Sequence, residues 1–195
     1  MTDFTISKSL GRPGFGDALL VIDVQNDFLP GGALAVPRGD AILNPLNRLM
    51  LSFADAGLPI YATRDCHPPD HCSFQEQKGP WPSHCIRGSW GAGFPEALKM
   101  PPNLRTVDKP DWRDKETYSA FTGTILDEAL CSEGIKHLWL GGLATEYCVM
   151  NTVLDALQLR YRVTLLSEAI RAVDVRPSDG ENAIQLMVSQ GVVLR

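Results

Sequence analysis

The sequence predicts an α/β fold in three layers, with a mainly parallel six-stranded sheet flanked by helices. Short apolar runs alternate with amphipathic stretches from Ala18 onward, the pattern of strands buried on both faces and of the helices that cover them. Strand then helix, repeated, implies right-handed crossovers and parallel pairing. No repeat or linker divides the pattern, and 195 residues is a comfortable length for one domain with a sizeable core. The expectation is one domain over residues 1–195, with 1–16 as an N-terminal extension.

Taken in order, Ala18-Leu19-Leu20-Val21-Ile22 is the first strand and runs into Asp23. Asp40 is placed to cap a helix that ends near Ala56. Ile60 to Thr63 is the second strand and Leu104 to Asp108 a weaker third. Thr122 to Ser132 reads as helix, stopped by Gly134. His137 to Gly141 is the fourth strand. Thr145 to Leu159 carries Val149, Thr152, Val153, Ala156 and Leu157 at helical spacing. Arg162 to Leu166, Ser178 to Gln190 and Val192 to Leu194 complete the series as strand, helix and strand. One long irregular stretch, His67 to about Pro102, is rich in proline and glycine. A loop of that length inside a compact domain is usually functional.

Composition narrows the function classes. Hydrophobic residues make up 44% and charged residues 21%, as in ordered globular proteins. A formal charge of −5 argues against nucleic acid or an anionic membrane as partner. The longest apolar runs are too short to span a bilayer. The first sixteen residues mix Lys8 and Arg12 with glycine and proline and lack the apolar stretch of a secretory signal. Five cysteines, an odd number, fit a reducing compartment, so the expected location is the cytoplasm.

Ligands of open α/β sheets sit beyond the carboxyl ends of the strands. Asp23, Asp65, Lys109 and the turn before Cys148 all fall there. Asp65-Cys66-His67-Pro68-Pro69-Asp70-His71, with His84 just beyond, gathers imidazoles and a carboxylate suited to a divalent metal such as zinc, iron or manganese. Cys66, Cys72 and Cys85 lie beside them, but their spacings give no CxxC pair for a structural zinc knot. Cys148 falls in the first turn of a helix, where free N–H groups and the dipole favour a thiolate and can receive an oxyanion. A buried, inert cysteine is the plain alternative. Asp23 ends an apolar strand, where an ionised carboxylate is costly without a partner, and Lys109 can supply the opposing charge. They form either a structural ion pair or, with Cys148, a base, counter-charge and nucleophile. On the second reading the histidines are free for metal. His137, at a strand entrance, reads as structural.

Five segments, in order, resemble the isochorismatase-like cysteine hydrolases and, within them, the nicotinamidases. They are Val21-Ile22-Asp23-Val24-Gln25-Asn26-Asp27-Phe28, Thr63-Arg64-Asp65-Cys66-His67-Pro68, Trp81-Pro82-Ser83-His84-Cys85, Tyr118-Ser119-Ala120-Phe121 and Gly142-Leu143-Ala144-Thr145-Glu146-Tyr147-Cys148-Val149. The resemblance implies an isochorismatase-like fold and an Asp23–Lys109–Cys148 triad. It also implies one divalent metal, zinc above iron or manganese, held by Asp65, His67 and His84, with His71 as a fourth ligand whose position varies among relatives. Backbone N–H groups of Ala144 and Cys148 form the implied oxyanion hole, after a cis bond between Leu143 and Ala144. Phe28, Trp81, Leu143 and Tyr118 are the implied substrate contacts.

The implied reaction is hydrolysis of nicotinamide, or an analogue such as pyrazinamide, to the acid and ammonia in NAD salvage, with the metal orienting the pyridine ring. The implied partner is this small substrate; a homo-oligomer is compatible with the chain, and the sequence does not fix the oligomeric state. Three features depart from the family pattern: Cys66 in place of tryptophan, Glu146 in place of aspartate, and an insertion over Pro110 to Glu116. Two rivals stand beside this reading. One is a related amidase for a small carbamoyl or maleamate-type substrate, which needs no metal. The other is a binding module without catalysis.

Overall fold

In the computed structural model, which describes residues 13–195, the strands are β1 (Asp17–Ile22), β2 (Ile60–Arg64), β3 (Leu104–Asp108), β4 (His137–Leu143), β5 (Arg162–Arg171) and β6 (Val193–Leu194). The helices are α1 (Leu43–Asp55), α2 (Leu126–Ser132), α3 (Met150–Gln158) and α4 (Asp179–Ser189). Most of the expected N-terminal extension lies outside the described residues.

The six strands form one sheet in the order β3-β2-β1-β4-β5-β6, and every neighbouring pair is parallel. The chain first winds outward from β1 to β3, then restarts beside β1 at β4 and winds the other way. The carboxyl ends of β1 and β4 therefore flank the point where the winding reverses, the place where such sheets open a crevice.

Alternate residues of β1 serve opposite faces, as a two-residue period requires. Leu20 and Ile22 join a core with Leu130 of α2, Val153 of α3 and Met187 of α4. Leu19 and Val21 join a second core with Leu46, Met50 and Phe53 of α1. Both faces are covered, which is why the run is apolar without alternation. Each fully buried leucine or isoleucine contributes about 1.5–3 kcal/mol over leaving it in water. Close approach also fixes one glycine. At Gly142 (φ +139°) an added Cβ would fall 2.1 Å from the Ile22 carbonyl oxygen, so β4 could not lie against the end of β1 with any side chain there.

Several expected boundaries move, each for a local reason. The helix expected from Thr122 begins at Leu126. The Thr124 hydroxyl donates to the Ala120 carbonyl at 2.7 Å and accepts the Leu126 N–H at 3.2 Å, and such side-chain bonds compete with helix. Asp40 does not cap α1. It sits in a 3-10 turn, Gly39–Ile42, and α1 starts without a side-chain cap. Residues Thr145–Val149 form one π-helical turn before α3, with the Val149 N–H reaching back five residues to the Ala144 carbonyl at 3.2 Å. β5 continues past Leu166 to Arg171 after a register shift opposite Leu140 and Gly142. No helix among the described residues is long and apolar enough to cross a membrane.

Candidate active site

Asp23 follows β1 directly in a left-handed conformation (φ 47°), which turns the chain out of the sheet, and its side chain is fully buried. Thr63 of β2 donates its hydroxyl to Asp23 Oδ1 at 2.6 Å and accepts the Asp23 N–H at 3.2 Å. Lys109 follows β3, with its N–H on the Arg64 carbonyl at 2.9 Å. Its buried Nζ lies 2.5 Å from Asp23 Oδ2 and 2.9 Å from Asp65 Oδ1. One ammonium thus serves two buried carboxylates, and deleting it would leave them uncompensated. The Cys148 thiol and the carboxylate oxygens of Asp23 and Asp65 lie within 4.8 Å of one another. Because the Lys109 ammonium already rests on both carboxylates, this group reads as an acid–base cluster rather than a cation site.

Burial is the largest influence on each member. It pushes the Asp23 carboxyl upward, Asp65 adds to the rise, and Lys109 opposes it. Burial also raises the Cys148 thiol well above its ordinary range, with Lys109 opposing, so the thiol keeps its proton until a base removes it. Burial disfavours the Lys109 charge, yet Asp23, Asp65 and Cys148 outweigh it and hold the ammonium firmly protonated. Burial works against the Asp65 carboxylate as well, and Lys109 and His67 overcome it and keep Asp65 ionised.

Asp65, His67 and His84 form the second cluster, with one donor atom of each within 4.8 Å of the others. All three are buried. His67 Nε2 lies 3.7 Å from Asp65 Oδ2. Asp65 Oδ1 is held by the Lys109 ion pair, whereas the buried His67 Nε2 has no hydrogen-bond partner. A buried atom left so costs about 1–3 kcal/mol. His84 Nδ1 faces the Pro82 carbonyl at 2.8 Å and must donate to it, which leaves Nε2 with a free lone pair. Burial lowers the His84 pKa and keeps the ring neutral. An orphaned His67 nitrogen, a neutral imidazole and one carboxylate make a set that fits a divalent cation.

His71 stands apart from that set. Its ring stacks on His67 at 4.1 Å and 27°. Its Nδ1 accepts the Ser73 N–H at 3.3 Å, and Nε2 faces the Lys115 carbonyl at 3.3 Å. Its donor groups instead with His67 and Glu116. Cys66, Cys72 and Cys85 are free thiols and join no such group among the described residues. Residues 110–116 pack on the histidine loop: Cys72 donates its N–H to the Arg113 carbonyl at 2.8 Å, and Arg113 pairs with Asp70 at 2.8 Å. His137 lies at the other end of the sheet, between Asp17 at 3.0 Å and Thr164 at 2.9 Å.

A cavity lies against both clusters, lined by Cys148 and Ala144 and by Asp65 and His84. Phe28, Trp81 and Tyr118 also line it. The Trp81 indole donates to the Tyr118 hydroxyl at 3.2 Å, and burial pushes that phenol up to about 12. The Leu143–Ala144 bond is cis. Leu143 itself is buried in the α1-side core and leaves the cavity wall to Ala144.

Sequence reasoning missed Tyr147, Leu34, Val36 and Val173, which also line the cavity. Tyr147 could have been found as the neighbour of Cys148; it packs edge-on to Trp81 at 5.1 Å. Nothing in the sequence marks Val173. The buried Glu146 holds it there, accepting the Val173 and Asp174 N–H groups at 3.3 and 2.7 Å.

Residues 17–195 match the model of the isochorismatase domain family. The nicotinamidase of Escherichia coli is 37% identical over 91% of this chain and 93% of its own. The crystal structure of Pyrococcus horikoshii pyrazinamidase in complex with zinc superposes with a TM-score of 0.88 at 43% identity, covering 92% of this chain and 98% of that one. The structure of PnC1 from L. infantum in complex with nicotinate gives 0.85 at 33% identity over 93% of this chain and 92% of that one.

Proposed function

Because this chain belongs to the isochorismatase family, and its relatives at 31–37% identity include nicotinamidases, we propose that it hydrolyses nicotinamide to nicotinate and ammonia through a Cys148 thioester. One observation carries this reading: Cys148, from a buried thiol–carboxylate–ammonium cluster, and Asp65 and His84, from a metal-donor set, line the same aromatic-walled cavity.

The residues divide the work as follows. Asp23 accepts the Cys148 proton; its raised proton affinity suits a base. The thiolate sulfur bonds to the carboxamide carbon, and the N–H groups of Ala144 and Cys148 receive the oxyanion. Asp23 returns its proton to the departing nitrogen, the C–N bond breaks, and ammonia leaves a nicotinoyl thioester. Asp23 then takes a proton from water, whose oxygen attacks the thioester carbon. The C–S bond breaks, nicotinate is released and the thiol is restored. Lys109 holds Asp23 in place and balances the charge of the cluster throughout. Phe28 and Trp81 offer faces and edges for a flat ring.

Asp65, His67 and His84 would hold a divalent cation, with zinc favoured by the zinc-bound pyrazinamidase. Such an ion supplies a Lewis-acid contact for a ring nitrogen and so orients the substrate. His71 supports the set through His67. We also read residues 1–195 as one hydrolase domain, pyrazinamide as an alternative substrate, and the cytoplasm as the location that suits five free cysteines.

The metal-donor set separates this reading from that of a metal-free amidase. Ammonia release with nicotinamide, maleamate and an N-carbamoyl amino acid tests it. Turnover of nicotinamide far above the other two is expected, and turnover of either of the others in its place overturns the reading.

A further inference from the structure

Beyond Ile22 the first strand turns away at Asp23, so β2 loses its backbone neighbour on that side just where Asp65 begins the metal-donor set. The side chain of Gln25 fills the gap. It is fully buried and reads both polar groups of one peptide residue: Nε2 donates to the Asp65 carbonyl at 2.8 Å, and Oε1 accepts the Asp65 N–H at 2.8 Å. The remaining Nε2 hydrogen goes to the Ala92 carbonyl at 2.9 Å. A side-chain amide thus takes the place of a strand in the ladder and joins Asp65 to the loop after His84.

The residues that follow extend the same strap. The Asn26 N–H and side-chain amide donate to the Gly93 and Trp90 carbonyls at 2.9 and 2.8 Å. Asp27 Oδ2 accepts the N–H of Cys85, next to His84, at 2.7 Å. The His67 N–H in turn meets the Cys85 carbonyl at 3.0 Å. All three donor residues are therefore tied, directly or through one neighbour, to residues 25–27.

We propose that Gln25 is a positioning residue for the metal site: its amide sets the backbone of Asp65, and with it the carboxylate, before any ion binds. This rests on the reading of Asp65, His67 and His84 as a metal site, not on the identity of the substrate. No other residue type of similar size presents two donors and one acceptor in this geometry. Glutamate keeps the acceptor but sets a charge against two carbonyl oxygens, and methionine keeps only the volume.

The test is zinc affinity, measured against a competing chelator, for the wild-type protein and for Gln25→Met and Gln25→Glu. The rate of Cys148 alkylation by iodoacetamide serves as a second readout. Partners that orient metal ligands typically change affinity by about 10- to 100-fold. A loss of that size is expected in both variants, with the alkylation rate within about twofold of wild type. Unchanged zinc affinity in a folded variant overturns the proposal, and so does an equal loss in zinc affinity and alkylation. A wild-type protein that binds no zinc overturns the metal reading itself. Hydrogen exchange on the wild-type protein needs no variant. The Asp65 amide is expected to be as protected as those of β2 with zinc stripped away, and fast exchange there overturns pre-positioning by Gln25.

Discussion

The two clusters of the site, nucleophilic on one side and metal-donating on the other, are built by different means. Asp23 and Lys109 sit one residue beyond β1 and β3, and Cys148 lies in the turn after β4, so sheet register places the nucleophilic side. Asp65 shares this origin, but His67 and His84 belong to the long loop after β2, which side chains of residues 25–27 strap down. Strand ends need little more than the ladder to hold position. A loop that carries ligands needs tailored hydrogen bonds, and each of these is a place where one substitution can loosen the site. Lys109 spans the divide, with Asp23 on one side and Asp65 on the other, so the sides are distinct in construction but not electrically independent.

The contrast predicts that the nucleophilic side controls kcat and the metal side controls KM. The largest effect is expected from Cys148→Ala, which should abolish ammonia release while leaving the unfolding transition near wild type, since no neighbouring group can replace a covalent thiolate. Next, Asp23→Asn should lower kcat by about 10²- to 10⁴-fold, the usual range for a general base. Lys109→Ala should match it in kcat and also destabilise the fold by about 3–5 kcal/mol, because it leaves two buried carboxylates unpaired. The double variant should be little slower than either single one; losses that multiply would mean the two groups act independently.

On the other side, chelation or His84→Ala should raise KM for nicotinamide more than it lowers kcat, with Cys148 still open to alkylation. Loss of alkylation together with metal would show that the Lys109 link couples the sides more tightly than their construction suggests. Smaller still, Glu146→Gln weakens the charged hold on Val173 and Asp174. It should raise KM by roughly three- to tenfold, as for one weakened hydrogen bond to a charged group, with kcat little changed. The smallest expected effect is on pH. With its proton affinity raised to about 12 chiefly by burial, Tyr118 stays neutral well above the ordinary phenol value of about 10. Tyr118→Phe should therefore leave the alkaline limb of the rate profile where it is.

These sides also differed in how legible they were. The inner strands β1, β2 and β4 were visible as apolar runs, because strands covered on both faces must be apolar throughout, whereas the edge strand β3 is mostly exposed and gave a weaker pattern. Asp23 was visible because a charge at the end of an apolar run is conspicuous, Asp65 because histidines follow it, and Lys109 because it follows a strand end where Asp23 needs a counter-charge. What escaped notice was set by tertiary bonds rather than pattern. The Thr124 turn shortened α2, the π turn replaced a regular helix start at Thr145, and β5 ran past Leu166 because it rejoined β4 after a bulge. Val173 reached the cavity through Glu146, a contact between residues 27 positions apart. The ion pair of Lys109 with Asp65 was equally invisible, since a sequence gives no sign that one ammonium will serve two carboxylates.

In this mechanism the carboxamide carbon becomes bonded to the Cys148 sulfur. Rapid acid quench of the enzyme during turnover of nicotinamide, followed by peptide mapping by mass spectrometry, reads that bond. A nicotinoyl group on the Cys148 peptide is predicted, absent in Cys148→Ala and strongly reduced in Asp23→Asn. Turnover with no acyl group on Cys148, or with one only on Cys66, Cys72, Cys85 or Cys131, would contradict the account.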